Sequence, residues 1–304
     1  MLNKLAKLRR QLPMLSKAHQ TLEELKMLQG TSLAAANADR RYSLLEDYEF
    51  KVFSQWGEDG IIQYLASQAK LPSRSFIEFG IEDFSESNCR FLLMKDYWDG
   101  FVIDGSPDNI ERLRQSYYFW RYPLQAECAF ITTDNVCELL DRSGFDATVG
   151  ILSIDVDGND WHLLERLEHW QAAIIIVEYN GIFGNDRAVT VPYDPAFVRN
   201  GKHHSNLYYG ASIAAFQYLL EPRGYILSGT NKTRSNAFFV HESSMTDAIP
   251  RLDQAKLGAG PLFRESRDAS GTMTFLSKAA RRQEIGHLPL VDVTTGTTTT
   301  VSAL

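Results

Sequence analysis

The residues best suited to chemistry in this chain are acids that directly follow apolar runs. Residues 150–160 read GILSIDVDGND, in which a buried-strand pattern empties into Asp155, Asp157 and Asp160. Capping the next helix takes one side chain, Asn159 or Asp160, so three carboxylates exceed what such a turn requires. Open α/β sheets bind ligands outside the carboxyl ends of their strands. The same arrangement recurs: FIEFG carries Glu78 and Gly80, FVIDG carries Asp104 and Gly105, and IIVEYN carries Glu178 and Asn180. Carboxylates so placed can accept hydroxyls, attract organic cations, take up a proton or hold a hard divalent ion.

An acid at the end of a second strand can accept both hydroxyls of a ribose. Asp104 lies about 24 residues beyond Gly80, near the spacing of a dinucleotide fingerprint. The first turn has one glycine, however, with Glu82 and Phe84 where further glycines would let backbone approach a pyrophosphate. NAD and FAD are therefore disfavoured, and a nucleoside cation without phosphates suits these strand ends better.

The elements that must position these acids follow from periodicity. A helix is expected over 54–70, then strands at 75–80, 100–105, 124–132, 151–155 and 172–180. Helices at 87–96, from Pro107, at 134–142 and at 161–170 separate them. A helix over 211–220 precedes GYILSGT and NAFFVH, which read as an antiparallel pair at the sheet edge. This alternation specifies an α/β fold: a Rossmann-like, doubly wound, mostly parallel sheet with a C-terminal antiparallel β-hairpin. The strand at 172–180 is the most apolar and is expected to be central.

Three units are expected: an N-terminal helical arm and linker (1–49), the α/β domain (50–241) and a C-terminal extension (242–304). In the arm, leucines at steps of three and four predict two helical pieces broken at Pro13 and ending near Gly30, with a linker from 30 to 40. Such an arm could pair with a second copy as a homo-oligomer, or pack on its own domain. The last residues, TTGTTTTVSAL, are low in complexity and expected to be disordered. Segment 181–209 is long and aperiodic, and such loops are usually functional. It is expected to form an acceptor pocket, with Arg187, Arg199, Lys202, His203 and His204 suiting a phosphorylated or acidic sugar.

The 304 residues carry a formal charge of −7, which argues against a nucleic-acid partner because phosphate binding needs clustered cations. Cys89, Cys128 and Cys137 fit neither a zinc motif nor a disulfide framework, pointing to a reducing, cytoplasmic compartment. No apolar run is long enough for a transmembrane segment. The basic N-terminus leaves peripheral membrane contact open.

The segments SQWGEDGII (54–62), FIEFGIEDFSESN (76–88), GFVIDG (100–105), LSIDVDGND (152–160) and IIVEYN (175–180) resemble class I S-adenosylmethionine-dependent methyltransferases. The resemblance is closest to the FkbM-like group, found with glycan and natural-product biosynthesis, and VTVPYDP (189–195) and YYGAS (208–212) extend it. It implies S-adenosylmethionine as cofactor and methylation of a small-molecule or glycan hydroxyl. It also implies that Glu78 and Gly80 hold the methionine part, with hydrogen bonds added by Asp83 and Asn88. Asp104, followed by Gly105, would take the ribose, Ala129 and Phe130 the adenine, and Asp155 would face the methionine amine. Glu82 departs from the group, whose members usually have a glycine there.

A hydroxyl acceptor needs a general base. The candidates are Asp157, Glu178, His162, His203 and His204, with Asp157 foremost. Alternatively, Asp155, Asp157 and Glu178 could hold Mg²⁺ and acidify the acceptor. Two other readings stay open. Asp155 and Asp157 could be the DxD pair of a metal-dependent glycosyltransferase, or the chain could be a non-catalytic, methyltransferase-like interaction module.

Overall fold

The computed structural model describes residues 2–253 and 256–304, with side chains described from residue 17 onward. The chain begins with α1 (Leu2–Ala38) and α2 (Glu58–Gln68). Five strands then alternate with helices: β1 (Ser75–Phe79), α3 (Arg90–Asp96), β2 (Asp99–Asp104), α4 (Pro107–Gln115), α5 (Tyr117–Arg121) and β3 (Leu124–Cys128). They continue through α6 (Val136–Asp141), β4 (Thr148–Ile154), α7 (Asp160–Arg166) and β5 (Gln171–Glu178). After β6 (Val189–Thr190), α8 (Arg199–Lys202) and α9 (Ile213–Leu220), the hairpin β7 (Tyr225–Thr230) and β8 (Asn236–His241) completes the large sheet. Last come α10 (Lys278–Glu284), β9 (Pro289–Asp292) and β10 (Thr298–Thr300).

The seven-stranded sheet runs β3-β2-β1-β4-β5-β8-β7. It is parallel from β3 to β5, and β8 pairs antiparallel with both β5 and β7. This is the expected Rossmann-like arrangement with its closing hairpin. Both faces of the sheet are covered. Ile151, Ile174 and Ile176 enter one buried cluster, and Leu152, Ile175 and Val177 enter the other. Successive side chains of a strand point to opposite faces, so a doubly covered strand must be apolar at every buried position, as β5 is from Ala172 to Val177. That apolarity marks burial, not the midpoint: β4 is the middle strand, and β5 lies beside it.

Expectations at both ends of the chain fail. α1 does not break at Pro13 or end near Gly30, and 30–38 is helix rather than linker. A Cβ on Gly30 would stand 2.5 Å from Val52 Cγ2 and 2.9 Å from Phe91 Cζ, so this glycine is a packing contact, not a helix stop. The C-terminal residues are ordered: β9 joins β10 to β6 in a second, antiparallel sheet. Thr298–Thr300 are β-branched and suit a strand, but their sheet includes β6, more than a hundred residues earlier. Local composition cannot announce so distant a partner.

Among the described residues, a buried ion pair helps to dock α1. Glu23 Oε1 lies 2.6 Å from Arg90 Nη2, with side-chain exposures of 9% and 2%. Tyr117 Oη donates to Glu23 Oε2 at 2.8 Å. The Arg90 guanidinium sits 4.0 Å from the Phe53 ring centroid and 4.1 Å from that of Tyr118. Removing one partner of a buried pair strands the other charge. Glu23→Ala is therefore expected to destabilise the protein by about 3 kcal/mol, read as a lower midpoint in urea. A loss below about 0.5 kcal/mol, the scale of a surface substitution, would mean that α1 is not docked there.

Candidate active site

Parallel pairing brings the chemistry to one line. Phe79 is level with Ile103 of β2 and Ile154 of β4, and Ile154 with Val177 of β5. One residue further on, Asp104, Gly80, Asp155 and Glu178 form a row at the carboxyl edge, continued by Asn236 opposite Glu178. Gly80, at φ +68°, has no alternative there: a Cβ would lie 1.5 Å from the Asp155 carbonyl oxygen. The row opens into a cavity of about 840 Å³, within the range of small-molecule sites.

Several acids organise the loops that frame this cavity. Glu78 is buried and accepts from Ser87 Oγ (2.7 Å), Asn88 N (2.7 Å) and Cys89 N (3.2 Å). Asp104 accepts from Glu82 N (2.9 Å), Ser106 N (2.8 Å) and Asn109 Nδ2 (3.1 Å), tying the first turn to the second. Asp160 accepts from Val156 N and Gly158 N, both at 2.9 Å, and burial pushes its carboxyl up to about 6. It is the turn's own organiser, which answers why 150–160 carries three acids.

Asp155, Asp157 and Glu178 are different. Glu178 Oε2 is buried with no hydrogen-bond partner. Burial, then repulsion from Asp155, holds its carboxyl well above the usual range; Asp155 is raised likewise by burial and by Asp157. Asp157 is exposed, with φ +59°, and its Oδ1 accepts from Arg199 Nη1 at 2.7 Å. The same Nη1 lies 3.6 Å from Glu178 Oε1, and the guanidinium rests 3.6 Å from the Tyr209 ring centroid. Oxygens of the three acids come within 4.8 Å of one another, but Arg199 already supplies the cation. That disfavours the expected Mg²⁺ site, and with it a DxD metal pair, because a hard dication would have to displace the guanidinium.

Gly80, Asn88, Gly105, Ala129 and Phe130 line the cavity, as do Glu78, Asp104, Asp155, Asp157 and Glu178. Asp83 does not: it accepts from Ser85 N, lies 3.4 Å from Arg112 Nε, and has its carboxyl lowered chiefly by the Ser85 bond. His162 is half-buried against the Val191 carbonyl at 2.9 Å. His203 and His204 also lie off the cavity, and His204 Nε2 faces Glu284 Oε1 at 3.2 Å. Segment 181–209 does reach the site, through Phe197, Val198, Arg199 and Asn200. Its cations are spent on acids, Arg187 on Asp292 and Lys202 on Asp194. The cavity is therefore acidic, which removes the electrostatic case for a phosphorylated or acidic acceptor.

Sequence reasoning passed over Gln55, Glu86, Ser106, Asn109 and Asn236, which also line the cavity. Only the position of 106 and 109 directly after FVIDG was a usable signal. Glu82 lines it as well, at φ +48°, and its carboxyl is raised by burial and by Asp83, Asp157 and Asp104. Phe84, also at positive φ, turns its ring into the core instead.

No family model matches the sequence, and no curated protein matches it. Solved structures resemble it weakly. The N-terminal domain of EvdMO1 with SAH bound is 11% identical over 56% of this chain and 73% of its own, with a TM-score of 0.34. An S-adenosylmethionine-dependent methyltransferase from Clostridium acetobutylicum is 8% identical over 55% and 83%, with a TM-score of 0.33. An O-methyltransferase family protein from Burkholderia thailandensis is 9% identical over 62% and 59%, with a TM-score of 0.38. Likenesses of this size carry no weight on activity.

The raised carboxyls set a pH dependence. With both carboxyls raised, the folded chain keeps protons on the Asp155–Glu178 pair to a higher pH than the unfolded chain, with carboxyls near 4, does. The stability due to those protons is full below about 4 and is lost as pH rises above the ordinary carboxylate range. The urea midpoint is expected to fall from pH 5 to pH 8, and Glu178→Gln should flatten the slope. An equal slope in the variant would count against the raised pair.

Proposed function

We propose that this protein is an S-adenosylmethionine-dependent O-methyltransferase of the FkbM-like group, acting on a hydroxyl of a small-molecule or glycan acceptor. The observation that carries this reading is the row Asp104, Gly80, Asp155 and Glu178 facing one acid-lined cavity. A ligand with a ribose and two cationic centres complements that lining in charge and hydrogen bonding. S-Adenosylmethionine, when bound, supplies a methyl group on a sulfonium, open to in-line displacement by an acceptor oxygen.

The residues divide the work as follows. Asp104 uses three of its roughly four acceptor positions on the loops, leaving room for a ribose hydroxyl. Phe130, half exposed beside Ala129 and Ile131, offers a flat apolar wall for a purine. Glu78, with both oxygens engaged by 87–89, shapes the turn more than it binds. Asp155 offers its carboxyl to an ammonium, whose positive charge favours the ionised form. Glu178 is the better general base than Asp157, because its Oε2 is unpartnered and its proton affinity is raised. Arg199 positions Glu178 and Asp157 together, and the histidines have no part.

Leu22, Leu25 and Leu28 of α1 are exposed on successive turns, which supports association of two copies along this helix. The free cysteines fit the reducing, cytoplasmic setting. Among the described residues no helix is long and apolar enough to cross a membrane.

Calorimetric titration with S-adenosylmethionine is expected to give one site per chain, weakened at least tenfold by Asp104→Ala, about 1.4 kcal/mol. No heat at millimolar cofactor would end this reading. Glu178→Gln should leave cofactor affinity within twofold while methyl transfer to a panel of hydroxylated acceptors falls 10²- to 10⁴-fold. Glu82→Gly removes a carboxylate from the cavity and suits the positive φ, so it should tighten cofactor binding by roughly three- to tenfold. Weaker binding in that variant would mean that Glu82 itself serves the ligand.

A further inference from the structure

The histidines that miss the cavity meet elsewhere. His203 and His204 follow α8 in segment 181–209, and Glu284 ends α10 in the C-terminal extension. One ligand atom from each of the three lies within 4.8 Å of the other two. His204 Nε2 is 3.2 Å from Glu284 Oε1, and the two imidazole centroids are 4.3 Å apart. The His287 ring is 6.0 Å from that of His203.

We propose that His203, His204 and Glu284 form a binding site for a divalent transition ion of the Zn²⁺ type, pinning segment 181–209 to the C-terminal extension. Two imidazoles and one carboxylate are a ligand set that suits Zn²⁺, Co²⁺ or Ni²⁺ better than Mg²⁺ or Ca²⁺. Three protein ligands leave a fourth tetrahedral position, which water or His287 can fill.

The ligands stand on fixed supports. Ser205, fully buried, has its Oγ 2.7 Å from His203 Nδ1, which orients the ring and leaves Nε2 free. A ligating imidazole characteristically uses its second nitrogen in such a bond. Leu207 N donates to the same Ser205 Oγ at 3.3 Å. On the other side Arg281 is buried and donates to the Glu265 carbonyl at 2.9 Å, and Ile285 is buried beside Glu284. His204 and Glu284 are part-exposed, with side-chain accessibilities of 39% and 37%, so an ion can enter from solvent.

The position gives the ion a purpose. Arg199, four residues before His203, is the cation that pairs with Asp157 and Glu178 at the cavity. An ion held by 203, 204 and 284 would fix the chain that carries it. This inference does not rest on the methyltransferase reading, and it is tested without cofactor or activity.

Full-length protein, freed of metal with a chelator and then dialysed, is titrated with Zn²⁺ by calorimetry and with Co²⁺ by visible absorption. One ion per chain with a Kd on the order of 1 µM is expected, together with the visible bands of low-coordinate Co²⁺. Zn²⁺ at a hundredfold excess over Kd should raise the Tm by roughly 5 °C. Glu284→Gln and His204→Ala should each weaken binding at least tenfold while their metal-free Tm values stay near that of the parent. Should His204→Ala fail to fold, the near-isosteric Glu284→Gln alone decides the matter. Substoichiometric binding, or affinity unchanged in Glu284→Gln, would show the cluster to be an ordinary histidine–glutamate pair and overturn the proposal.

Discussion

Everything at this site depends on how closely β1 and β4 approach at their carboxyl ends. The register that sets Phe79 beside Ile154 brings residue 80 against the Asp155 carbonyl, at a distance only glycine tolerates. Because the pairing is parallel, the same register aligns Asp104 and Glu178 on either side. A one-residue slip would turn every side chain of a strand to the other face, driving acids into the core and apolar residues to the rim. The hydrophobic pattern of the strands thus fixes the alignment of the acids, although none of the acids contributes to the core.

That alignment concentrates negative charge in a partly buried space, and the molecule offsets it in three ways. Glu78, Asp104 and Asp160 accept hydrogen bonds from loop backbone and side chains, converting charge into loop structure. Arg199 neutralises part of the remainder from a segment distant in sequence. Asp155 and Glu178, for which burial and mutual repulsion outweigh the donors they have, respond by holding protons more tightly. The group left with an unpartnered oxygen is the one best able to exchange a proton with a ligand.

The outer parts of the chain serve this arrangement from two sides. α1 docks by a buried ion pair next to Phe53 and Tyr118, bracing the helices behind β1 and β2. The small antiparallel sheet pairs β6 with the C-terminal strand β9, and so anchors the segment that delivers Arg199. Val189, Leu290 and Val301 belong to the third buried cluster, which secures it.

Much of this was legible in the sequence, for identifiable reasons. The five β/α units, the closing hairpin and the strand-end acids Glu78, Asp104, Asp155 and Glu178 follow from periodicity and punctuation, which are local properties. Which acids are engaged in holding a loop and which are left open to the cavity was not legible. That difference lies in whether backbone N–H groups or an arginine come within hydrogen-bond distance, and the tertiary structure alone decides it. For the same reason Asp157 is taken up by Arg199 while Glu178 Oε2 is left unpartnered, Asp83 turns to Arg112, and His203 and His204 leave the cavity to meet Glu284. The threonine-rich end reads as disordered and Gly30 as a stop because their partners, Val189–Thr190 with β9 and Val52 with Phe91, stand far away in the chain. Sequence by itself determined the elements and the edge at which chemistry gathers; contacts between distant segments decided what each residue does there.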